Sequence, residues 1–353
     1  MISYTDAISM AHYQGLKQNK LSYIIGLGVN YPNGADGTTK GLAADFPERV
    51  LDCPVSESAV TGMCVGMATM GLNTIVHHGR VEFALLAMDQ ILTQAAKWDY
   101  MFGGDYPCKF SARLNIGRQW GNGPQHTSSY NSLFANTPGL TVLWPSRPAE
   151  AYQFTKYMHT SVSPTLHMEH RWLFKTTDVL DESHKSTPLQ IAAIYGDCND
   201  LVIITYGDSL VEALRVREMV TDRDVSIICL TAFCDDRSMP MEVLKTVSKA
   251  SELIVLDSSN YEYGLLQGVL GCLAVESVLP KTVKIFSPDF IPVATAAKLV
   301  KDYYPVCPNV VDYLHSRGMT KIKSVEYTFD EINLPPSFDF SQFIPTKVVT
   351  AQK

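Results

Sequence analysis

The feature that most constrains this chain is an alternation of short β-rich runs with helix-length segments, which occurs twice along its 353 residues. Such alternation predicts parallel sheets whose strands are joined by crossover helices. In the first half, Tyr4, Ile8, Ala11 and Leu16 fall at helical spacing within residues 4–19, and the run 22–27 reads as a strand before a glycine-rich turn. Small residues dominate 58–72, which suits a helix packed closely on a neighbouring backbone. A third helix is expected over 83–100, with Leu86, Ile91, Leu92 and Ala95 on its buried side. Strands at 109–116, 140–144 and 165–169 complete the pattern, and Pro148 marks the start of another helix.

From about residue 171 to 200 the chain turns polar and irregular, after which strands at 201–206, 225–230 and 252–256 alternate with helices at 209–221 and 240–249. The length exceeds the usual size of one hydrophobic core. The expected fold class is α/β, with two domains that are each a mainly parallel sheet flanked by helices: residues 1–175 and 201–325, with a linker at 176–200. The aromatic tail 326–353, with Pro335-Pro336, reads as an arm that is extended over a neighbour or mobile.

Composition narrows the function classes. With 46% hydrophobic and 18% charged residues the chain can bury a large core, and a net charge of -7 provides no basic stripe for nucleic acid or an anionic bilayer. The first twenty residues lack the pattern of a targeting segment, and no run reaches the roughly 18 apolar residues of a membrane span. The expectation is a soluble chain of the cytoplasm or an organelle matrix. Eight cysteines lie scattered without a C-x-x-C pair, which predicts buried, reduced thiols.

Three motifs invite other chemistries. Gly26-Leu27-Gly28 follows a strand, but the third glycine of a dinucleotide fingerprint would fall on Tyr31. His77-His78 and His167-x-x-His170 suggest a metal; on a strand, however, His167 and His170 point to opposite faces, and no metal is expected. Gly207-Asp208-Ser209-Leu210, with Asp312-x-x-His315 downstream, has the elements of a GDSL-type serine hydrolase. The plainer expectation is that Asp208 caps the following helix, with Glu212 in its first turns.

The densest constellation lies between 52 and 145. Asp52-Cys-Pro-Val-Ser-Glu57, followed by Gly62, resembles the D-T-P-(I/L)-(S/A)-E block of the beta subunits of thiamine-diphosphate-dependent 2-oxoacid dehydrogenases, of the pyruvate and branched-chain type, in the transketolase superfamily. Phe83 with Ala87-Met-Asp89-Gln90-Ile91 resembles that family's F-x-x-x-A-x-D-Q-I helix, and Ala95-Ala96-Lys97 with Tyr100-x-x-Gly103-Gly104 its A-A-K…Y-x-x-G-G run. Arg113, Gly117, Gln125-His126 and Thr137-Pro138-Gly139-Leu140 continue in register to Pro145. More thinly, Gly26, Val29, Gly41-Leu42, Thr205-Tyr206-Gly207 and Tyr263-Gly264 extend the likeness over most of the chain.

The resemblance implies a transketolase-like pyrimidine-binding domain followed by a transketolase C-terminal-like domain. It also implies thiamine diphosphate as cofactor. Glu57 would be the carboxyl that shares a proton with the aminopyrimidine ring. Phe83 would stack on that ring, and Val55 would line the same site. His126, in a Gly/Pro/Gln loop, would face the substrate as an acid or base. At Glu57 a helix dipole favours the charged carboxyl and burial the neutral one, so the sequence leaves its protonation open.

An absence completes the picture. The superfamily holds the diphosphate through Mg²⁺ and a G-D-G…N motif; none occurs here, and Gly196-Asp197-Cys198 is the nearest approach. The implied partner is an alpha-type subunit carrying that motif, in an α2β2 heterotetramer, with a lipoyl acyltransferase core as a further partner. The family's acidic position after the first strand is replaced in Gly26-Leu27-Gly28, an acidic-Leu-Arg stretch is replaced by Cys229-Leu230-Thr231, and His77-His78-Gly79-Arg80 stand just before Phe83. His78 and Arg80 are therefore candidates for holding an anionic substrate group, with pairing at a subunit interface as the alternative. The expected activity is decarboxylation of a 2-oxoacid with transfer of the acyl unit to a lipoyl group or another acceptor. The runner-up is a biosynthetic acyloin- or ketol-transferring enzyme of the same two-subunit build, and a third possibility is a degenerate subunit that only supports its partner.

Overall fold

Ser3 sets the first helix: its hydroxyl accepts the Asp6 N–H at 3.1 Å, and the helix Tyr4–Gln18 follows. The structure, a computed structural model, describes residues 1–117, 122–180, 189–197, 200–234, 238–300, 302–333 and 336–351. Its strands in chain order are β1 (Ile2–Ser3), β2 (Ser22–Gly26), β3 (Val50–Leu51), β4 (Asn73–His78), β5 (Phe110–Ile116), β6 (Thr141–Leu143) and β7 (Thr165–His170). They continue as β8 (Thr177–Asp178), β9 (Gln190–Tyr195), β10 (Leu201–Tyr206), β11 (Val225–Leu230), β12 (Ala232–Phe233), β13 (Glu252–Leu256), β14 (Thr282–Phe286) and β15 (Lys347–Thr350).

One sheet has the order β12-β6-β7-β5-β4-β2-β3 and is parallel except where β12 meets β6. The other has the order β14-β13-β10-β11-β9-β15, with a parallel core and two antiparallel strands, β9 and β15, on one side. β10, β11 and β13 are buried along their whole length and accordingly read as apolar runs. The two sheets are not separate bodies. A continuous apolar cluster runs from Val76 and Ala112 through Trp144 to Ile204, Leu230 and Val255. β12, from beyond β11, extends the first sheet, and Trp144 N–H donates to Thr231 O at 2.7 Å.

Several expectations need correction. The segment expected as a linker contains β9, which lies between β11 and β15; its stretches 181–188 and 198–199, including Cys198, fall outside the described residues. The tail folds on its own chain, because Arg147 donates to the Phe343 and Phe340 carbonyls at 2.9 and 3.2 Å, Phe340 is buried, and β15 pairs with β9. The helix expected over 83–100 changes pitch: an α-helical turn at Val81–Ala84, a tight turn at Leu85–Ala87, a wide π-helical stretch at Asp89–Ala95, then α-helix again at Ala96–Met101. Its buried stripe is Ala84, Ala87, Ile91 and Ala95, and Leu86, rotated about 100° from Ala87, points outward. Among the described cysteines none is in a disulfide, but Cys272 is exposed. No helix among the described residues is long and apolar enough to cross a membrane.

The glycine of the Thr137-Pro138-Gly139-Leu140 block has a physical reason. Its φ is +90°, and a Cβ there would collide with the carbonyl oxygen of Ala96.

Between β5 and β7 the first sheet buries charge. Arg113 Nε and Nη2 donate to Glu169 Oε1 and Oε2 at 2.6 and 2.8 Å, and His167 Nδ1 lies 2.7 Å from Oε1. All three side chains are fully buried. Burial pushes the Glu169 carboxyl up, but Arg113 and His167 pull it well below the usual carboxylate range. Burial also lowers His167 and keeps the imidazole neutral, so Nδ1–H is the donor to Glu169. Removing one partner of a buried pair strands the other charge. Glu169→Gln should therefore lower the unfolding free energy by about 3–5 kcal/mol in urea denaturation, and replacing Arg113 and Glu169 together by methionine should cost far less than the sum of the single changes. A Glu169→Gln loss below about 1 kcal/mol, the scale of an exposed pair, would show that the pair is not structurally coupled.

Candidate functional site

β4 ends at His77-His78, and the helix Glu57–Thr69 packs beside it with its N-terminus at the same end of the sheet. Ligand sites in parallel sheets form there, beyond the carboxyl ends of the strands. A pocket of about 100 Å³ opens at this point, walled in part by Leu27, Val55, Val60 and Val76, with Glu57, His77, His78 and Phe83 also in its lining. Its volume is that of a few water molecules, enough for one small ring. Glu57 is the first residue of its helix and is half-buried.

The structure thus brings Glu57, Val55, Phe83 and His78 together, though they span 55–83 in sequence. His126 comes to the same place from the loop 122–130, its ring centroid 5.6 Å from that of Phe83 and tilted by 61°. His126 Nδ1 is buried and has no hydrogen-bond partner among the described residues.

Residues that sequence patterns did not single out hold these groups in place. Thr61, one turn along the helix from Glu57, has its hydroxyl 3.2 Å from His78 Nε2, which leaves His78 Nδ1 as the ring nitrogen open to a ligand. Burial lowers His78 to a pKa of about 4. Burial, helped by the charge of Arg113, lowers His77 to about 3, and His77 Nδ1 also lacks a partner among the described residues. Both imidazoles are neutral at physiological pH. Glu82, immediately before Phe83, accepts the Ser128 N–H at 2.7 Å through Oε1. Ser128 O in turn accepts the Gly117 N–H at 3.1 Å, and Thr127 Oγ1 donates to Gly123 O at 2.7 Å. One turn of helix, Val81–Ala84, therefore supplies both the ring that His126 rests on and the carboxylate that anchors its loop. The only signal available in sequence was the position of Glu82 beside Phe83.

Arg80 takes a different position. Its guanidinium does not line the pocket; it is buried and turned toward the Gly117 carbonyl, with Nη1 at 3.5 Å from the oxygen. Burial, and then the neighbouring charge of Arg171, lower its pKa to about 10. With His78 neutral as well, the His77–Arg80 stretch places no positive charge on the pocket wall. Among the described residues, no group of three or more His, Cys, Asp or Glu is placed to hold a metal.

The hydrolase elements do not assemble. Ser209 is buried, whereas Asp312 and His315 are exposed on the helix Cys307–Ser316, and Asp312 accepts the Ser324 hydroxyl at 2.7 Å. Asp208 makes no side-chain cap; its carboxylate accepts the Ser258 hydroxyl at 2.5 Å and lies 3.4 Å from His170 Nδ1.

A carboxylate, two neutral imidazoles with unclaimed nitrogens and an aromatic ring around an apolar slot fit a flat, neutral heterocycle with both donors and acceptors. Among the described residues a phosphate would find no lysine or arginine in this lining.

Comparison with known proteins agrees with this chemistry. Residues 1–176 match the family model "Transketolase, pyrimidine binding domain". The beta subunit of 2-oxoisovalerate dehydrogenase from Bacillus subtilis is 25% identical over 88% of this chain and 97% of its own length. The beta subunit of acetoin:2,6-dichlorophenolindophenol oxidoreductase from Cupriavidus necator is 28% identical, covering 77% of this chain and 81% of that one. The mitochondrial pyruvate dehydrogenase E1 beta subunit of Saccharomyces cerevisiae is 29% identical, covering 74% and 72%. Among solved structures, a split-gene transketolase described as an inactive beta4 tetramer superposes with a TM-score of 0.68 at 16% identity, over 90% of this chain and 98% of that one, a likeness of fold. Through residues 1–176 the chain therefore belongs to the transketolase pyrimidine-binding family, and over most of its length it is a relative of 2-oxoacid dehydrogenase beta subunits.

Proposed function

We propose that this chain is the pyrimidine-binding, beta-type subunit of a two-subunit thiamine-diphosphate enzyme that decarboxylates a 2-oxoacid and passes on the acyl unit. The observation that carries this reading is the meeting of Glu57 and Phe83 in one small pocket at the end of β4, with the His126 ring set against Phe83. Thiamine diphosphate, on which the family depends, supplies when bound a nucleophilic ring carbon and a sink for the electron pair left by departing CO₂. Glu57 would hold a proton at a pyrimidine nitrogen. Phe83 would offer a ring face, with little side-chain entropy to lose. Leu27 and Val55 would keep water from that edge, and His126 would exchange a proton with the substrate.

An alpha-type subunit would complete the site by holding the diphosphate and Mg²⁺. The sequence has no G-D-G…N motif, and the pocket's rim is apolar and open, with Leu27 55% and Val55 75% exposed. Such a rim suits burial against another chain, as in an α2β2 heterotetramer. The acyl unit would pass to a lipoyl group of an acyltransferase core, in the cytoplasm or an organelle matrix.

Three outcomes are expected. In calorimetry the chain alone should bind thiamine diphosphate weakly, and tightly with Mg²⁺ once assembled with an alpha-type subunit; tight Mg²⁺-dependent binding by the chain alone would overturn the split site. In the assembled complex, Glu57→Gln should lower turnover about 10²–10⁴-fold while size-exclusion chromatography shows assembly intact, and wild-type turnover would remove Glu57 from the mechanism. Glu82→Ala should leave the Ser128 N–H unpaired and lower kcat more than it alters KM, whereas Glu82→Gln, whose amide oxygen still accepts that bond, should restore most of the loss. Equal effects of the two substitutions would mean that Glu82 does not act through the His126 loop.

A further inference from the structure

A second, larger cavity of about 630 Å³ lies on the other side of the His126 loop, between the two sheets. Loops that follow the carboxyl ends of β5, β13 and β14 form it, so the ends of parallel strands from both sheets open into one space. Its size and position at a junction of domains are those of a small-molecule site.

The lining decides what kind of molecule fits. It is rich in hydroxyls and amides, and among the described residues its one carboxylate is Glu262, with no lysine, arginine or histidine. An anion such as a phosphate or carboxylate would find no counter-charge among these residues. The side chains of Gln125, Ser129 and Ser132 form no hydrogen bonds among the described residues, so their donors and acceptors remain for a ligand. Large apolar surface accompanies them: Tyr130 is 40%, Tyr263 88% and Phe290 68% exposed.

Backbone strain marks the same place. Among the described residues four non-glycine residues have positive φ, and Tyr130 (49°) and Tyr263 (56°) both line this cavity. A bulky residue in the left-handed region costs free energy, and such outliers gather at ligand sites. Each strained position holds an aromatic ring at the cavity's edge.

From this combination we infer that the cavity is a binding site for a neutral polyhydroxylated molecule, a sugar or polyol, whose hydroxyls meet Gln125, Ser129 and Ser132 and whose C–H faces pack on Tyr130 and Tyr263. The site is distinct from the pyrimidine pocket and stands independently of the activity proposed above. Because Gln125 and Thr127 flank His126, its occupant would touch the loop that carries His126.

Saturation-transfer NMR on the full chain tests this, with D-glucose, xylitol and glycerol as neutral probes and gluconate as the anionic one. At least one neutral probe should receive saturation, and gluconate markedly less. Tyr130→Asn and Tyr263→Asn remove the rings, while asparagine tolerates positive φ, so the fold should persist by circular dichroism. Each should raise the Kd of the bound probe about two- to tenfold. No transfer to any neutral probe, gluconate binding as well as xylitol, or binding unmoved by both asparagine variants would overturn the inference. So would loss of probe binding on assembly with an alpha-type subunit, which would make the cavity an interface between chains.

Discussion

A short relay of buried hydrogen bonds through Asn131 fixes how the two halves of the molecule meet. Asn131 Oδ1 accepts the Trp144 indole N–H at 2.9 Å, and its Nδ2 donates to the Tyr206 hydroxyl at 2.8 Å, which donates to Asp257 Oδ1 at 3.1 Å. Trp144 follows β6 in one sheet; Tyr206 ends β10, and Asp257 follows β13, in the other. Burial foremost raises the Asp257 carboxyl to about 7 even though Ser259 and Tyr206 donate to it. Leaving any member of such a buried chain unpaired would cost desolvation without recompense, so the relay admits one arrangement of the sheets. Asn131 also ends the loop that carries His126, and Ser259 lines the large cavity. Both sites therefore inherit their geometry from this junction.

How much of the fold was legible depended on whether local pattern and tertiary contact agreed. The runs over 201–206, 225–230 and 252–256 were readable because strands buried on both faces are near-continuous apolar runs, here broken by Thr205, Ser226 and Glu252. The Tyr4–Gln18 helix and the start at Pro148 carried their own local signals, a serine cap and a proline in the first turn. β9 and β15 were not legible. They are antiparallel additions whose pairing joins positions more than 150 residues apart, and the polar residues beside β9 gave it the look of a linker. Likewise the tail's aromatics looked like an arm seeking a neighbour, although Phe338 stacks on Phe343 and Arg147 of the same chain holds the turn.

Motif resemblance singled out Glu57, Phe83 and His126, each in a block whose neighbours reinforce it, and the fold sets Glu57 and Phe83 in one pocket with His126 against Phe83. Their supports were not legible. Thr61 reads as one more small residue in a helix, and Glu82 as a charge in a first turn, until His78 and Ser128 arrive from other elements. The placement of Arg80 was not legible either. Its residue type suggested an anion site, but sequence does not tell which way a side chain leaves the backbone, and this one turns inward to Gly117.

The electrostatics of the pocket connect back to the buried ion pair. Sheet register sets His77 beside Arg113 and Arg113 beside His167, so one row across β4, β5 and β7 links the pocket wall to the pair with Glu169. Glu169 neutralises Arg113, which could not otherwise remain buried, and the guanidinium in turn helps keep His77 unprotonated. With His77 and His78 both neutral, Glu57 faces no cation among the described residues of the lining. A proton shared between its carboxyl and a ligand nitrogen is then not pre-empted by an imidazolium, which would draw the carboxylate into an ion pair. Burial first, with the Arg113 guanidinium helping and Glu169 opposing at His77, thus keeps both imidazoles beside Glu57 neutral.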